Sequence, residues 1–206
     1  MILSFDQINY EYRKSPRGVI HIGSHYGLEY EEYLNAGIRD MIFFEPVRSN
    51  YEGLLRTLPK DERIKTFNVA LGNDTGMRKM YIETRNEGMS CTLLEPLKHL
   101  EMYPWITFDG LEDVMLDRLD NIEFDRSLFN VLNIDVQGYE LEVLKGAEKT
   151  LDSVDLIFTE VNAVEMYRSC ALVTDLDSYL KPLGFVRVLD NIEHNGRWGD
   201  ALYVKI

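Results

Sequence analysis

A run of eighteen residues, Asn133-Ile-Asp-Val-Gln-Gly-Tyr-Glu-Leu-Glu-Val-Leu-Lys-Gly-Ala-Glu-Lys-Thr150, does most to limit what this chain can fold into. It begins as the end of a buried strand, because Val131, Leu132 and Ile134 leave almost no polar face. It turns at Gln137-Gly138 and continues as an amphipathic helix with Leu141, Leu144, Ala147 and Leu151 on one side. Asp135 therefore stands where the strand stops and the helix has not begun. In an open α/β sheet, ligands collect along that edge.

The remainder of the chain alternates short apolar runs with helical ones, the pattern of βαβ units and a mostly parallel sheet. Gly18–Ile22 reads as a first strand ended by Gly23, and Leu28–Ala36 as a helix closed by Gly37. Asp40–Glu45 is a second strand stopped by Pro46, and Ser49–Leu58 a second helix ended by Pro59. Ile64–Leu71 reads as one third strand, and Met77–Thr84 as another. Residues 85–110 carry Pro96 and Pro104 and read as irregular. Asn130–Asp135 and Leu156–Val161 are buried strands, and Leu176–Leu183 is a helix ended by Gly184. Phe185–Leu189 and Ala201–Ile206 pair as a hairpin around Asn195-Gly196, which puts an antiparallel strand at the end of the sheet. Helices are expected on both faces. At 206 residues the chain suits a single domain over 1–206, with 1–17 as an N-terminal extension.

The net charge of −13 argues against a phosphate backbone or an anionic membrane as main partner. Cys91 and Cys170 lie far apart and read as reduced, part-buried thiols of a cytoplasmic protein. No run approaches ~18 apolar residues, and Met1 to Lys14 lacks the order of a signal peptide.

Three places carry chemistry. Gly23-Ser24-His25-Tyr26-Gly27 is a glycine loop between strand and helix, where backbone can approach a ligand and helix N–H groups can face it. With two glycines it misses the G-x-G-x-x-G spacing of nicotinamide enzymes. Glu45 closes the second strand about 20 residues further on, where an acid can hold two ribose hydroxyls. Asp135 and Glu160 end neighbouring strands. They could act as a general base with its orienting partner, hold a divalent cation, or simply cap helices. None of the four histidines has zinc spacing. His21 reads as a core group, His25 as a cofactor contact and His194 as a second proton acceptor. Tyr139 and Trp198 either wall a sugar pocket or pack in the core.

Together these residues resemble the FkbM-type methyltransferases, a branch of the S-adenosylmethionine-dependent class I fold. The match is closest over Asn133 to Leu151. Phe44-Glu45-Pro46, Val69-Ala-Leu-Gly72, Met89-Ser90, Leu116-Asp117 and Phe158-Thr-Glu160 support it in order. The resemblance implies a Rossmann-like fold with a seven-stranded, mostly parallel sheet and S-adenosyl-L-methionine as cofactor. Gly23, Ser24, His25 and Gly27 would take its methionine and ribose. Glu45 would hold the ribose hydroxyls, and Asn68, Val69 and Ala70 would line the adenine. Ser90 would stand near the cofactor and Asp135 beside the reactive methyl, with no resident metal. The implied reaction is O-methylation of a sugar or glycan, with rhamnose or another deoxysugar a candidate, in the cytoplasm (the host's, for a viral protein). The family's usual acid in the first motif is replaced by His21, so affinity for a cofactor ammonium group is expected to fall as that histidine protonates. A magnesium-dependent methyltransferase, a nicotinamide oxidoreductase and a silent binding module are the rival readings.

Overall fold

The computed structural model describes residues 5–192 and 196–206. In chain order the elements are α1 (Phe5–Tyr12), β1 (Gly18–Ile22), α2 (Tyr30–Asn35), β2 (Asp40–Phe44), α3 (Arg48–Thr57), β3 (Ile64–Phe67), β4 (Ala70–Leu71) and β5 (Gly76–Glu83). Next come α4 (Lys98–Met102), β6 (Phe108–Asp117), β7 (Val131–Ile134), α5 (Glu140–Lys145), β8 (Leu156–Asn162), α6 (Val173–Leu180), β9 (Phe185–Asp190) and β10 (Trp198–Lys205). Seven strands form one sheet in the order β3-β2-β1-β7-β8-β10-β9. All neighbours are parallel except β10, which runs antiparallel to β8 and β9. This is the Rossmann-like α/β class, with the antiparallel final strand that the terminal hairpin foretold.

Strand pleating explains the two-sided core. Alternate residues Ile20, Ile22, Ile42, Phe44, Leu132 and Ile134 enter one cluster, where Val143 and Leu144 of α5 and Leu176 and Leu180 of α6 cover them. Their neighbours Val19, Met41, Phe43 and Val131 enter the other, under Phe5 and Ile8 of α1, Tyr33 of α2 and Leu54 of α3. Each such side chain, fully buried, contributes about 1.5–3 kcal/mol. The covered central strands β1 and β8 are buried along their whole length. The chain builds outward from β1 to β3 and then returns to β7 on the other side of β1. That reversal opens a crevice at the carboxyl ends of β1 and β7.

The structure departs from the sequence reading in several elements, among them α1, within the expected extension, and α4, within the stretch read as irregular. The single strand expected over Ile64–Leu71 is broken at Asn68-Val69, and Ala70–Leu71 joins a second sheet of order β4-β6-β5. The cause is Asn68, whose Nδ2 donates to the carbonyls of Glu45 (2.9 Å) and Pro46 (2.8 Å) and draws the chain out of the ladder. Strand β6 was not foreseen, because only two of its ten residues are buried. The helix after Gln137-Gly138 is six residues long, shorter than its apolar spacing implied. It stops where Gly146 meets Gly72: a Cβ there would lie 2.0 Å from the Gly72 carbonyl oxygen. Leu144, Ala147 and Leu151 are still buried on one side, with Leu141 packed against them.

Candidate active site

The glycine loop is shaped by close approach. Gly23 has φ +80°, and a Cβ on it would lie 1.7 Å from the Asp135 carbonyl oxygen. Only glycine lets the end of β1 pass the end of β7 at this distance. The loop is tied back to β2, since the N–H groups of Gly23 and Ser24 both donate to the Phe44 carbonyl at 3.0 Å. His25, itself at φ +49°, donates its N–H to Glu45 Oε2 at 2.9 Å, while Val47 N–H donates to Oε1 at 2.8 Å. Glu45 is thus held by backbone on both oxygens with lone pairs to spare for a ligand. Burial pushes its pKa up to about 7 against those two hydrogen bonds.

Gly23, His25, Glu45, Val69 and Ala70 line one cavity together with Asp135, and Met80, Leu93 and Tyr139 add apolar walls. Two backbone-held carboxylate oxygens facing an apolar slot suit a ribose with its attached base. Ser24, Gly27 and Asn68 stand behind this cavity. Ser24 is buried, with Oγ donating to the Phe44 carbonyl at 3.3 Å. Gly27 packs on α3, where a Cβ would lie 2.7 Å from Leu54 Cδ1. Asn68 spends its amide on the loop carbonyls named above. These three contact the loops' own backbone and α3 and are not among the lining residues of this cavity.

Asp135 sits at the mouth of the crevice. Its N–H donates to the Ile22 carbonyl at 2.9 Å, which continues the β1–β7 ladder by one residue. The chain then turns through Gln137 (φ +55°) and Gly138 (φ +99°). Buried Glu140 folds back over this turn, where its carboxylate accepts from Gly138 N–H at 2.9 Å and Val136 N–H at 3.3 Å. Gln137 links the acids: its Nε2 donates to Asp135 Oδ1 at 2.8 Å and to Glu160 Oε2 at 3.0 Å. Its Oε1 accepts from the Tyr167 hydroxyl, and its backbone carbonyl accepts from Thr92 Oγ1 at 2.8 Å. Asp135 opens onto the cleft, yet protein surrounds it. Desolvation raises its pKa, and the charges of Asp200 and Glu29 add to this. Glu160 is raised further, first by burial and then by Asp135, Glu140 and Asp200. Carboxylates this close do not all ionise together.

A second cavity lies on the other side of Asp135. It is lined by Asp135, Gln137, Glu160, Asn162, His99 and Asp200, with Ser90 and the rings of Tyr103, Trp105, Tyr167 and Trp198. At about 420 Å³ it is wider than the first, at 160 Å³. The two share Asp135, Gln137 and Met89. Ser90, assigned to the cofactor by resemblance, lines this second cavity, as does Trp198, whose indole N–H donates to Tyr103 OH at 2.9 Å. Tyr139 lines the first. His99 and Asn162 escaped the sequence reading. The only trace of His99 was a histidine in an irregular segment, and Asn162 had none.

His21 lines neither cavity. Its ring is buried beside the Tyr33 hydroxyl, 3.2 Å from Nδ1, and the Asn133 amide, 3.5 Å from Nε2. Desolvation lowers its pKa. It is a core group, with Glu29 Oε2 3.9 Å from Nδ1, and the expected fall in cofactor affinity on its protonation is tested by titrating that affinity against pH. His194 lies outside the described residues. Among the described residues no cluster of three His, Cys, Asp or Glu side chains is arranged to hold a metal ion, and no helix is long and apolar enough to cross a membrane.

The family model described as the methyltransferase FkbM domain matches residues 21–187, most of the chain. The chain belongs to that family. Its members are S-adenosylmethionine-dependent methyltransferases. A protein of Sinorhizobium fredii named 2-O-methyltransferase NoeI is 27% identical over 158 residues, which cover 72% of this chain and 65% of that protein. The chain thus spans about two-thirds of that relative's length. Among solved structures, a Streptococcus agalactiae protein of the NADB-Rossmann superfamily matches at a TM-score of 0.53 with 14% identity, covering 98% of this chain and 67% of that one. A putative tRNA (m1A22) methyltransferase of Streptococcus pneumoniae, solved with S-adenosyl-L-methionine, matches at 0.51 with 16% identity, covering 98% and 71%. At these identities the two structures speak for the fold alone.

Proposed function

We propose that this FkbM domain is an S-adenosylmethionine-dependent O-methyltransferase acting on a hydroxyl of a sugar or glycan. The observation that carries the reading is the meeting of two cavities at Asp135 and Gln137, one suited to an adenosyl group and one polar and ringed with aromatic side chains. The kinship with a protein named a 2-O-methyltransferase supports transfer to oxygen. Rhamnose and other deoxysugars are the acceptors to try first. The acidic surface speaks against nucleic acid, and the two free thiols suit the cytoplasm.

S-adenosylmethionine, when bound, supplies an electrophilic methyl and keeps the electron pair of the broken carbon–sulfur bond. The residues of this chain do the rest. Gly23 and His25 bring backbone against the cofactor, and Glu45 holds the ribose hydroxyls. Asp135 takes the proton from the acceptor hydroxyl as its oxygen gains the methyl. Its raised pKa makes it a stronger base than an ordinary aspartate. Gln137 fixes the direction of that carboxylate and occupies the space between Asp135 and Glu160 where a cation would bridge them. EDTA is therefore expected to leave turnover unchanged. The direct test incubates the enzyme with methyl-labelled cofactor and neutral glycosides. Label on a sugar oxygen, with release of S-adenosylhomocysteine, supports the reading. No binding of S-adenosylhomocysteine by calorimetry would end it.

A further inference from the structure

The second cavity keeps three polar atoms that the fold leaves without a partner: Nδ1 of His99 and both the nitrogen and oxygen of the Asn162 side chain. The two residues are 5% and 1% exposed, and both line the cavity. A buried polar atom without a hydrogen bond destabilises a fold, and a leucine of similar size at position 162 would avoid that cost. Donors and acceptors kept there despite the cost are placed for a ligand that supplies both, as a pair of sugar hydroxyls does.

The charges in the same cavity select further. The charged residues lining it are Asp135, Glu160 and Asp200, and among the described residues no lysine or arginine lines it. Trp105, 66% exposed, stands at the rim against Tyr103, with ring centroids 5.6 Å apart at 80°. It offers an apolar face to whatever extends from the cavity.

We propose that this cavity binds an uncharged sugar ring through Asn162 and His99 and refuses sugars that carry phosphate or carboxylate. The proposal rests on the reading that the chain methylates a sugar hydroxyl. A nucleotide-activated sugar would bring its diphosphate into a cavity whose charged lining is acidic, with no lysine or arginine among the described residues to offset it, and like charges in such contact are strongly disfavoured. Glycosyl transfer must then come first. The nucleotide leaves when the sugar is joined to its glycan, and the neutral glycoside is methylated afterwards, with Trp105 against the next unit.

The experiment compares kcat/KM for p-nitrophenyl glycosides of rhamnose, fucose, glucose and galactose with that for dTDP-rhamnose, UDP-glucose and p-nitrophenyl glucuronide. S-adenosylhomocysteine affinity is measured alongside. At least one neutral glycoside should turn over, and its charged counterpart should be slower by about 100-fold or more. Asn162→Leu should raise KM for the neutral glycoside by about 10- to 100-fold, leave S-adenosylhomocysteine affinity within about twofold, and leave the melting temperature equal or higher. A residue serving only the fold would lower that temperature. Asp200→Asn should narrow the gap between neutral and charged acceptors. Turnover of nucleotide sugars in preference to neutral glycosides overturns the proposal and leaves sugar O-methylation standing. Turnover with none of these sugars by an enzyme that binds S-adenosylhomocysteine overturns both. An unchanged KM in Asn162→Leu removes that residue as the anchor.

Discussion

A methyl group at position 23 has nowhere to go. Gly23→Ala must push β1 away from the Asp135 carbonyl and hold a positive φ as well, so it is expected to destabilise the fold by more than about 4 kcal/mol. Thermal unfolding checks this, and a variant that melts with the wild type would refute the close approach. Glu140 acts one step further out. Glu140→Ala frees the N–H groups of Gly138 and Val136 and should cost about 1–3 kcal/mol. Turnover should fall more than S-adenosylhomocysteine affinity, because Asp135 loses its orientation while the adenosyl slot keeps its walls. Asp135, Glu45 and Gly23 were legible because each ends a strand at a break in the apolar pattern. Ser24, Gly27 and Asn68 belong to the right loops, but their contacts are with the loops' own backbone or the next helix, which no sequence pattern reveals. His99 and Asn162 come together from residues 63 apart in the chain, across an irregular stretch with no periodicity to read.

At the scale of elements, the central strands were readable because burial on both faces leaves nearly continuous apolar runs in β1, β7 and β8. The break between β3 and β4 was not, since Ile64–Leu71 has the composition of one strand and only the reach of Asn68 to Glu45 and Pro46 divides it. Strand β6 hid for the opposite reason. Its outward face carries Leu111 and Met115 beside Asp113, so apolar and charged residues mix with no clean alternation, although β5 pairs with it along its length. Asn68→Ala tests the division. Loss of its two hydrogen bonds should weaken S-adenosylhomocysteine binding by about tenfold, as Val69 and Ala70 drift from the cavity wall. Calorimetry reads this, and unchanged affinity would detach Asn68 from the site.

The whole molecule concentrates carboxylates whose folded pKa values are raised: Glu45 to about 7, with Glu140, Asp135 and Glu160 moved the same way, chiefly by burial. Between its ordinary value and its raised one, each such group binds more protons folded than unfolded, so stability is lost as pH rises through the folded value. Buried His21 and His99 act oppositely, since their lowered values take stability away as pH falls below about 6.5. From about pH 4.5 to 7 the cofactor-free enzyme should lose about 1.4 kcal/mol per pH unit for each carboxyl that stays protonated only in the folded state, and the loss should level off as pH passes their folded values. Glu160→Gln should flatten that decline in denaturant titrations at several pH values, and an unchanged slope would show that Glu160 is not strained.

The acid limb of the pH–rate profile should lie above the ordinary carboxylate range, because Asp135 must be ionised to accept a proton and its pKa is raised. The most direct measurement of the central claim is the effect of Asp135→Asn on kcat set against its effect on S-adenosylhomocysteine affinity. A fall in kcat of about 10²–10⁴-fold with cofactor affinity within about threefold is the expected result. A kcat near wild type would contradict the placement of the proton acceptor where the two cavities meet.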